Sequence, residues 1–370
     1  MDRFYGPPKA RPMPSNERHR IALLGCGRVA QHYVKILTEY HPIDTFEIVA
    51  CCDLIEEKAA ATAASLGGDV FTDLNDMLEN SKPDLVFVLT RSGDHGAHAQ
   101  AILNAGTHAI VEKPIALDPE KVTALDTLAR ERGLMFGGVF QNRYNPAMIC
   151  LAEAMQNGRF GRIVTATVRL RWCRTQDYYE DGWHGTWKQD GGVANQQAIH
   201  HIDALNWICG PVEAVCASAT KRLNRLEAED TITAVVKFSN DALGTIEATT
   251  AARPEDFEAS LSVVGETGMA QIGGVALNHI ELWQFVEPLA SDADVPEKFS
   301  QDVPTGYGLG HGPFMADLAE RLSAGSIEPP ISAGEAIKAV ELVHALYASD
   351  ERDAWVKLSE SPRSSRLGVG

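Results

Sequence analysis

The absences narrow this chain first. No run approaches the ~18 consecutive apolar residues that mark a membrane-spanning helix, so a spanning helix is not expected. The seven cysteines (Cys26, Cys51, Cys52, Cys150, Cys173, Cys209 and Cys216) are odd in number and form no CxxC pair. A disulfide framework and a zinc cluster are therefore not expected, and a reducing compartment fits. The His200-His201 pair has neither HExxH spacing nor a supporting cluster, so no metal site is expected. Positive charge is scarce: 33 Lys and Arg stand against 50 Asp and Glu, a formal charge of −17. That balance argues against nucleic acid or an anionic membrane as partner. It does not exclude an anionic substrate, because a site can be locally basic. Residues 1–20 hold too many prolines and basic residues for an apolar leader, so a cytoplasmic protein is expected.

What is present divides the chain into three. Residues 1–18 are proline-rich and polar and read as an extended arm or a tail. From Arg20, short apolar runs alternate with helical stretches. Strands are predicted at Ile21–Leu24, Glu47–Cys52, Asp84–Leu89, Thr107–Val111 and Leu134–Val139. Helices are predicted from the first strand to about Glu39, at Glu56–Leu66, from His95 to Ala105, and from Asp118 as cap to Gly133 as stop. This alternation predicts a parallel sheet covered on both faces, an α/β Rossmann domain over 19–142. After Asn145-Pro146 the strands lengthen and alternate, at Arg162–Cys173, Thr231–Phe238, Leu243–Thr250 and Glu258–Val264. Helices are predicted near 197–209, 313–323 and 333–349. Residues 143–370 therefore read as an α+β domain with a large, mostly antiparallel open sheet, for substrate binding and oligomerisation. A broad open sheet face is usually covered, so a homodimer or homotetramer is expected.

Four motifs carry chemistry. Gly25-Cys26-Gly27-Arg28-Val29-Ala30 fits GxGxxA after a strand and at a helix start, where glycines admit a pyrophosphate and the helix N-terminus stabilises it. Asp53 closes the second strand, 26 residues past Gly27. A carboxylate there accepts from both ribose hydroxyls and repels a 2′-phosphate, which favours NAD over NADP. Glu112-Lys113-Pro114 follows the Thr107–Val111 strand, at the carboxyl edge where such sheets bind ligands. A lysine near a cationic nicotinamide suits proton transfer. Alternatively it is a surface lysine beside a turn.

The third motif is Asp190-Gly191-Gly192 followed by Gln196, His200, His201 and Asp203. On one helix, Gln196, His200, Asp203 and Trp207 share a face, and Ile199, Ile202 and Leu205 supply core. Histidine and carboxylate on one stripe suit acid/base work, or a face satisfied by its own hydrogen bonds. The fourth motif is aromatic and basic: Arg169, Arg171, Trp172, Arg174, Tyr178, Tyr179, Trp183 and Trp187. Aromatic faces pack on sugar rings and arginine reads phosphate or carboxylate. The strand arginines could equally line an exposed sheet face or a subunit interface.

Together GCGRVA (25–30), Asp53, EKP (112–114) and DGGVANQQAIHHID (190–203) resemble the Gfo/Idh/MocA family, from about residue 19 to the C-terminus. The resemblance implies NAD(P) in the N-terminal domain and substrate on the open sheet of the second. It implies Lys113 and His200 as catalytic, and Thr90 and His95 as contacts to nicotinamide and adenosine. Asn142 and Arg143 fall at the entrance to the substrate site. The cofactor set is then Gly25, Cys26, Gly27, Arg28, Val29, Asp53, Thr90, His95, Glu112 and Lys113. The substrate set is Asn142, Arg143, Tyr178, Trp183, Gln196, His201 and Asp203. One departure stands out: Gln196 occupies the position where the family often has Asp. Glutamine takes no proton, which leaves Lys113 and His200 with that burden and gives Asp203 the task of orienting His200. Within the family, GTWKQDGGVANQQAIHHIDAL is similar to nucleotide-sugar 3-dehydrogenases acting on UDP-N-acetylglucosamine or its uronate. Free sugar or inositol-type dehydrogenases, keto-sugar reductases and a non-catalytic NAD-binding regulator are the alternatives.

Overall fold

The computed structural model describes residues 18–40 and 43–369. The arm expected over 1–18 lies outside them but for its last residue. Two compact units emerge. One comprises the chain to Val139 together with His311–Ile337; the other comprises Phe140–Gly310 and the chain from Lys338. The sequence places a single division after residue 142, whereas the chain returns once to the first unit.

The first unit holds six strands: β1 (His19–Leu24), β2 (Phe46–Cys52), β3 (Asp69–Phe71), β4 (Leu85–Val88), β5 (His108–Val111) and β6 (Phe136–Gly138). Their order is β3-β2-β1-β4-β5-β6, and every pairing is parallel. The central strands are apolar on both faces; β4 and β5 are buried throughout. That is the composition a doubly covered parallel sheet requires. Cap chemistry sets the helix ends. The Asp118 carboxylate accepts from the Glu120 amide at 2.9 Å ahead of the Pro119–Arg132 helix, and Gly133 ends that helix at φ +65°. The order turns back at β1, so β1 and β4 flank the switch point outside whose carboxyl ends such sheets bind ligands.

His311–Ile337 belongs here because β6 has a free edge. Gly138 N–H donates to Ile331 O at 3.1 Å, and Gly137 bridges to Ser332. The His311–Ser323 helix adds Phe314, Met315 and Leu318, all buried.

The second unit is built on eight strands: β7 (Ile163–Arg171), β8 (Val212–Thr220), β9 (Thr231–Phe238), β10 (Leu243–Thr249), β11 (Glu258–Gly265), β12 (Gly268–Gly273), β13 (His279–Phe285) and β14 (Val356–Lys357). Their order is β13-β12-β11-β7-β10-β9-β8-β14, antiparallel except where β10 lies parallel to β7. β9 alternates strictly, with Ile232, Ala234, Val236 and Phe238 buried and Thr233, Val235 and Lys237 exposed. One face is thus apolar, and the Ile199–Cys209 helix packs against β7 and β11 with Ile199, Ile202 and Leu205 fully buried.

The other face is mixed, with Val235 and Leu243 exposed beside a charged cluster. Arg171 donates to Glu247 at 2.7 Å and to Glu258 at 3.0 Å, and Arg169 lies within 4.0 Å of both. Arg171 holds the Glu247 carboxyl below its ordinary range. Arg169 and Arg171 are thus both paired with carboxylates of their own sheet. Among the described residues no helix is long and apolar enough to cross a membrane.

Candidate active site

The glycine loop leaves β1 at Gly25, whose φ of +93° is open to glycine at little cost. A side chain there would lie 2.7 Å from the Leu89 carbonyl. Gly27 caps the Arg28–Lys35 helix and has open space where a Cβ would project. The first turn of that helix carries no acidic residue and no side-chain cap. A helix end of this kind is suited to an anion. Cys26 is buried against Cys51 and Ala59, so its thiol is core, while its amide donates to Asp53 Oδ2 at 2.8 Å. The other Asp53 oxygen accepts from Ile55 N–H at 2.9 Å. Arg28 is exposed and Val29 half-buried. This loop, helix end and carboxylate fit a dinucleotide: amides for the pyrophosphate, Asp53 for a ribose.

Thr90 and His95 brace the neighbouring turns. His95 is enclosed at 1% exposure, with Nδ1 2.7 Å from Pro114 O and Nε2 3.0 Å from Thr90 O. Burial lowers its pKa. Thr90 Oγ1 meets His98 Nδ1 at 2.9 Å.

The turn after β5 rests on a buried polar cluster. Glu112 Oε1 accepts from Tyr33 O–H at 3.0 Å and lies 3.3 Å from His311 Nε2, while Oε2 accepts from Lys113 N–H at 3.1 Å. Glu112 is 6% exposed, so this carboxylate anchors the lysine's backbone from beneath. His32 packs edge-on against His311 at 4.8 Å, and burial drives its pKa down to about 3. Lys113 is half-buried and its peptide to Pro114 is cis. Neither Tyr33 nor His311 carries a sequence signal; they lie 79 and 199 residues from Glu112.

In the second unit the helical stretch is broken. One turn covers Val193–Gln196 and the main helix begins at Ile199. Gln196 therefore closes the short turn, ahead of the helix that carries His200. The cause is tertiary: the turn is pinned at its start by residues far along the chain. Ala194 N–H donates to Glu229 Oε1 and Val193 N–H to Glu229 O, at 2.9 and 3.1 Å. Gly192 N–H donates to Tyr347 Oη at 3.1 Å, and Tyr347 O–H donates to Glu229 Oε1 at 2.9 Å. A Cβ at Gly192 would fall 2.1 Å from Glu229 O, which leaves room only for glycine.

His200 is half-buried, edge-on to Phe140 at 5.8 Å. Asp203 and Arg143 form a bidentate pair, at 2.8 and 2.7 Å, both nearly buried. Arg143 also lies over Trp207 at 5.3 Å. Arg143 and Asp203, which the sequence gives separate tasks, are thus each other's partner. His201 is sealed at 1% exposure beside Trp172, with no hydrogen-bond partner on either ring nitrogen among the described residues, and burial lowers its pKa to about 4. Asn142 is buried, and its Oδ1 has no partner among the described residues.

In the aromatic loop, Trp183 stacks on His184 at 3.7 Å, and Tyr178 lies 4.3 Å from the same ring. Asp181 holds His184 Nδ1 at 2.5 Å. Gln197 Nε2 donates to Tyr178 Oη at 3.3 Å, which ties this loop to the segment before His200. Trp187 belongs to the scaffold: it packs edge-on to Tyr347 and under Arg366.

A switch-point parallel sheet with a glycine loop, a helix end and an acid closing β2 defines an NAD-binding Rossmann unit. The comparisons agree. Residues 19–139 match the oxidoreductase family with an NAD-binding Rossmann fold, and residues 149–271 match the GFO/IDH/MocA C-terminal domain. The WlbA dehydrogenase of Chromobacterium violaceum, solved with NADH and UDP-GlcNAcA, is 33% identical with a TM-score of 0.86, over 94% of this chain and 98% of that one. The WlbA enzyme of Bordetella pertussis, with the same ligands, gives 32%, 0.85, 92% and 98%. The chain belongs to the Gfo/Idh/MocA family. Among curated relatives, the D-glucoside 3-dehydrogenase of Escherichia coli is 33% identical over 52% of this chain, and the match spans about half of that relative, 54%. The myo-inositol dehydrogenase Hyg17 of Streptomyces leeuwenhoekii is 27% identical over 70% of this chain and 78% of its own length.

Proposed function

We propose that this chain is an NAD-dependent sugar dehydrogenase that oxidises a secondary hydroxyl, at C3, of a nucleotide-linked amino sugar such as UDP-N-acetylglucosamine or its uronate. The observation that carries the reading is the near full-length likeness to two dehydrogenases holding NADH and UDP-GlcNAcA. The C3 position is supported further by the name of the E. coli relative.

In this reading the Gly25–Val29 loop and helix end hold the pyrophosphate and Asp53 holds a ribose, which favours NAD over NADP. Bound NAD supplies the acceptor for the hydride leaving the carbinol carbon. Lys113 takes the hydroxyl proton, with its backbone fixed by Glu112 so that the amine enters from a set position. His200 shares that proton transfer. Gln196 cannot ionise and serves as a hydrogen-bonding group. The Arg143–Asp203 pair fixes the base of the His200 helix. Tyr178 and Trp183 offer aromatic faces to a sugar ring.

The test is a panel of UDP-sugars, free sugars and inositols followed by NADH absorbance. NADH formed with UDP-N-acetylglucosamine or its uronate and not with free sugars supports the reading. A preference for free sugars or inositols favours the second reading, a polyol dehydrogenase, for which the inositol relative speaks. No NADH with any sugar favours the regulator. The homodimer or homotetramer expected from the sheet face is tested by light scattering.

A further inference from the structure

We propose that Glu229 and Tyr347 form a positioning pair for the His200 helix, holding three consecutive amides at the start of the segment that leads to it. The inference rests on the assignment of His200 above.

Gly192, Val193 and Ala194 are buried, and their amides begin a helical turn. Amides in that place have no partner within the helix. Each finds one on Glu229 or Tyr347: the tyrosine oxygen, the glutamate carbonyl and the glutamate carboxyl in turn. The two side chains are joined to each other at 2.9 Å. Both are enclosed, Glu229 at 3% exposure and Tyr347 at 0%. The same turn is braced from its other side, where Asn195 Nδ2 donates to Asp190 O. Five residues separate Ala194 from His200, so a shift of the turn carries to the helix that presents the imidazole.

Position explains only part of the choice of a carboxyl. Glu229 Oε2 has no hydrogen-bond partner among the described residues. Burial pushes the Glu229 pKa up to about 7, against the pull of the Ala194 amide, the Tyr347 hydroxyl and Arg366. The charged and titratable groups around it are Tyr347 on the 333–352 helix, Arg366 in the tail and Asp190 on the turn. A folded pKa above the ordinary 4.5 means the fold takes up a proton there. The stability it brings is full below about 4.5 and is lost as pH rises through about 7. The pair is thus a support whose grip changes near neutrality.

The test uses full-length protein with NAD and UDP-N-acetylglucosaminuronate, in wild type, Glu229→Gln, Tyr347→Phe and His200→Asn. In Tyr347→Phe, kcat should fall about 10- to 100-fold with the NAD dissociation constant unchanged. Glu229→Gln keeps the acceptor oxygen but cannot ionise. It should retain more activity and remove the limb near pH 7 from both the kcat profile and the pH dependence of thermal unfolding. Amide hydrogen exchange at Gly192–Ala194 should quicken in Tyr347→Phe. Wild-type kcat, pH profile and exchange in both Glu229→Gln and Tyr347→Phe, with His200→Asn slowed about 10²-fold, overturn the positioning role alone. Wild-type turnover in His200→Asn overturns the assignment on which it rests. Where Glu229→Gln does not fold, Tyr347→Phe carries the decision.

Discussion

The turn after β5 and the turn before the His200 helix are held by the same two residue types with different chemistry. Beneath Lys113, Glu112 faces a tyrosine hydroxyl, an imidazole and one amide. Beneath the 192–194 turn, Glu229 faces a tyrosine hydroxyl and the Ala194 amide, and its second oxygen has no partner among the described residues. Burial drives a carboxyl toward its neutral form unless its donors offset the lost hydration. The pKa of Glu229, raised to about 7 by burial, follows that rule. The support before the histidine is thus a pH-sensitive one.

Substitutions can break that comparison, beginning with the largest effect. Lys113→Ala should lower turnover by about 10³-fold or more while NAD binding, read by fluorescence titration, stays near wild type. His200→Asn should cost about 10²-fold in kcat in steady-state assays, a smaller loss because it shares the proton transfer. Asp53→Ser should raise the KM for NAD about tenfold and admit NADP, since it removes both a ribose acceptor and the charge that repels a 2′-phosphate. That variant also loses the acceptor of the Cys26 amide. Tyr33→Phe removes one of the hydrogen bonds to Glu112, and about 1 kcal/mol of stability should go with it by chemical denaturation. Its kcat should change in proportion at every pH. If Tyr33→Phe instead reshapes the pH profile near 7, the contrast between the two supports fails.

How much of this the sequence discloses depends on distance along the chain. The glycine loop, Asp53 and the Pro119–Arg132 helix are legible because their causes are local: turn residues, a cap, a strand end. β9 is legible because it alternates. β8, β12 and β13 are not read in advance: β8 holds three alanines and β12 begins and ends on glycine, residues with weak strand preference. The break before Ile199 is also hidden, because Asn195-Gln196-Gln197-Ala198 includes good helix formers and the cause is Glu229, far downstream. The same holds for the returning segment His311–Ile337 and for the Arg143–Asp203 pair, 60 residues apart. EKP and the His200 motif are visible; what holds them in place is not.

The central claim is that Lys113 takes a proton from a nucleotide-sugar hydroxyl as NAD is reduced. Its most direct test is a single-turnover measurement of NADH absorbance with UDP-N-acetylglucosaminuronate, in wild type and Lys113→Ala, both saturated with NAD. The account predicts an NADH transient in wild type and almost none in the variant. Equal transients in the two proteins would contradict it.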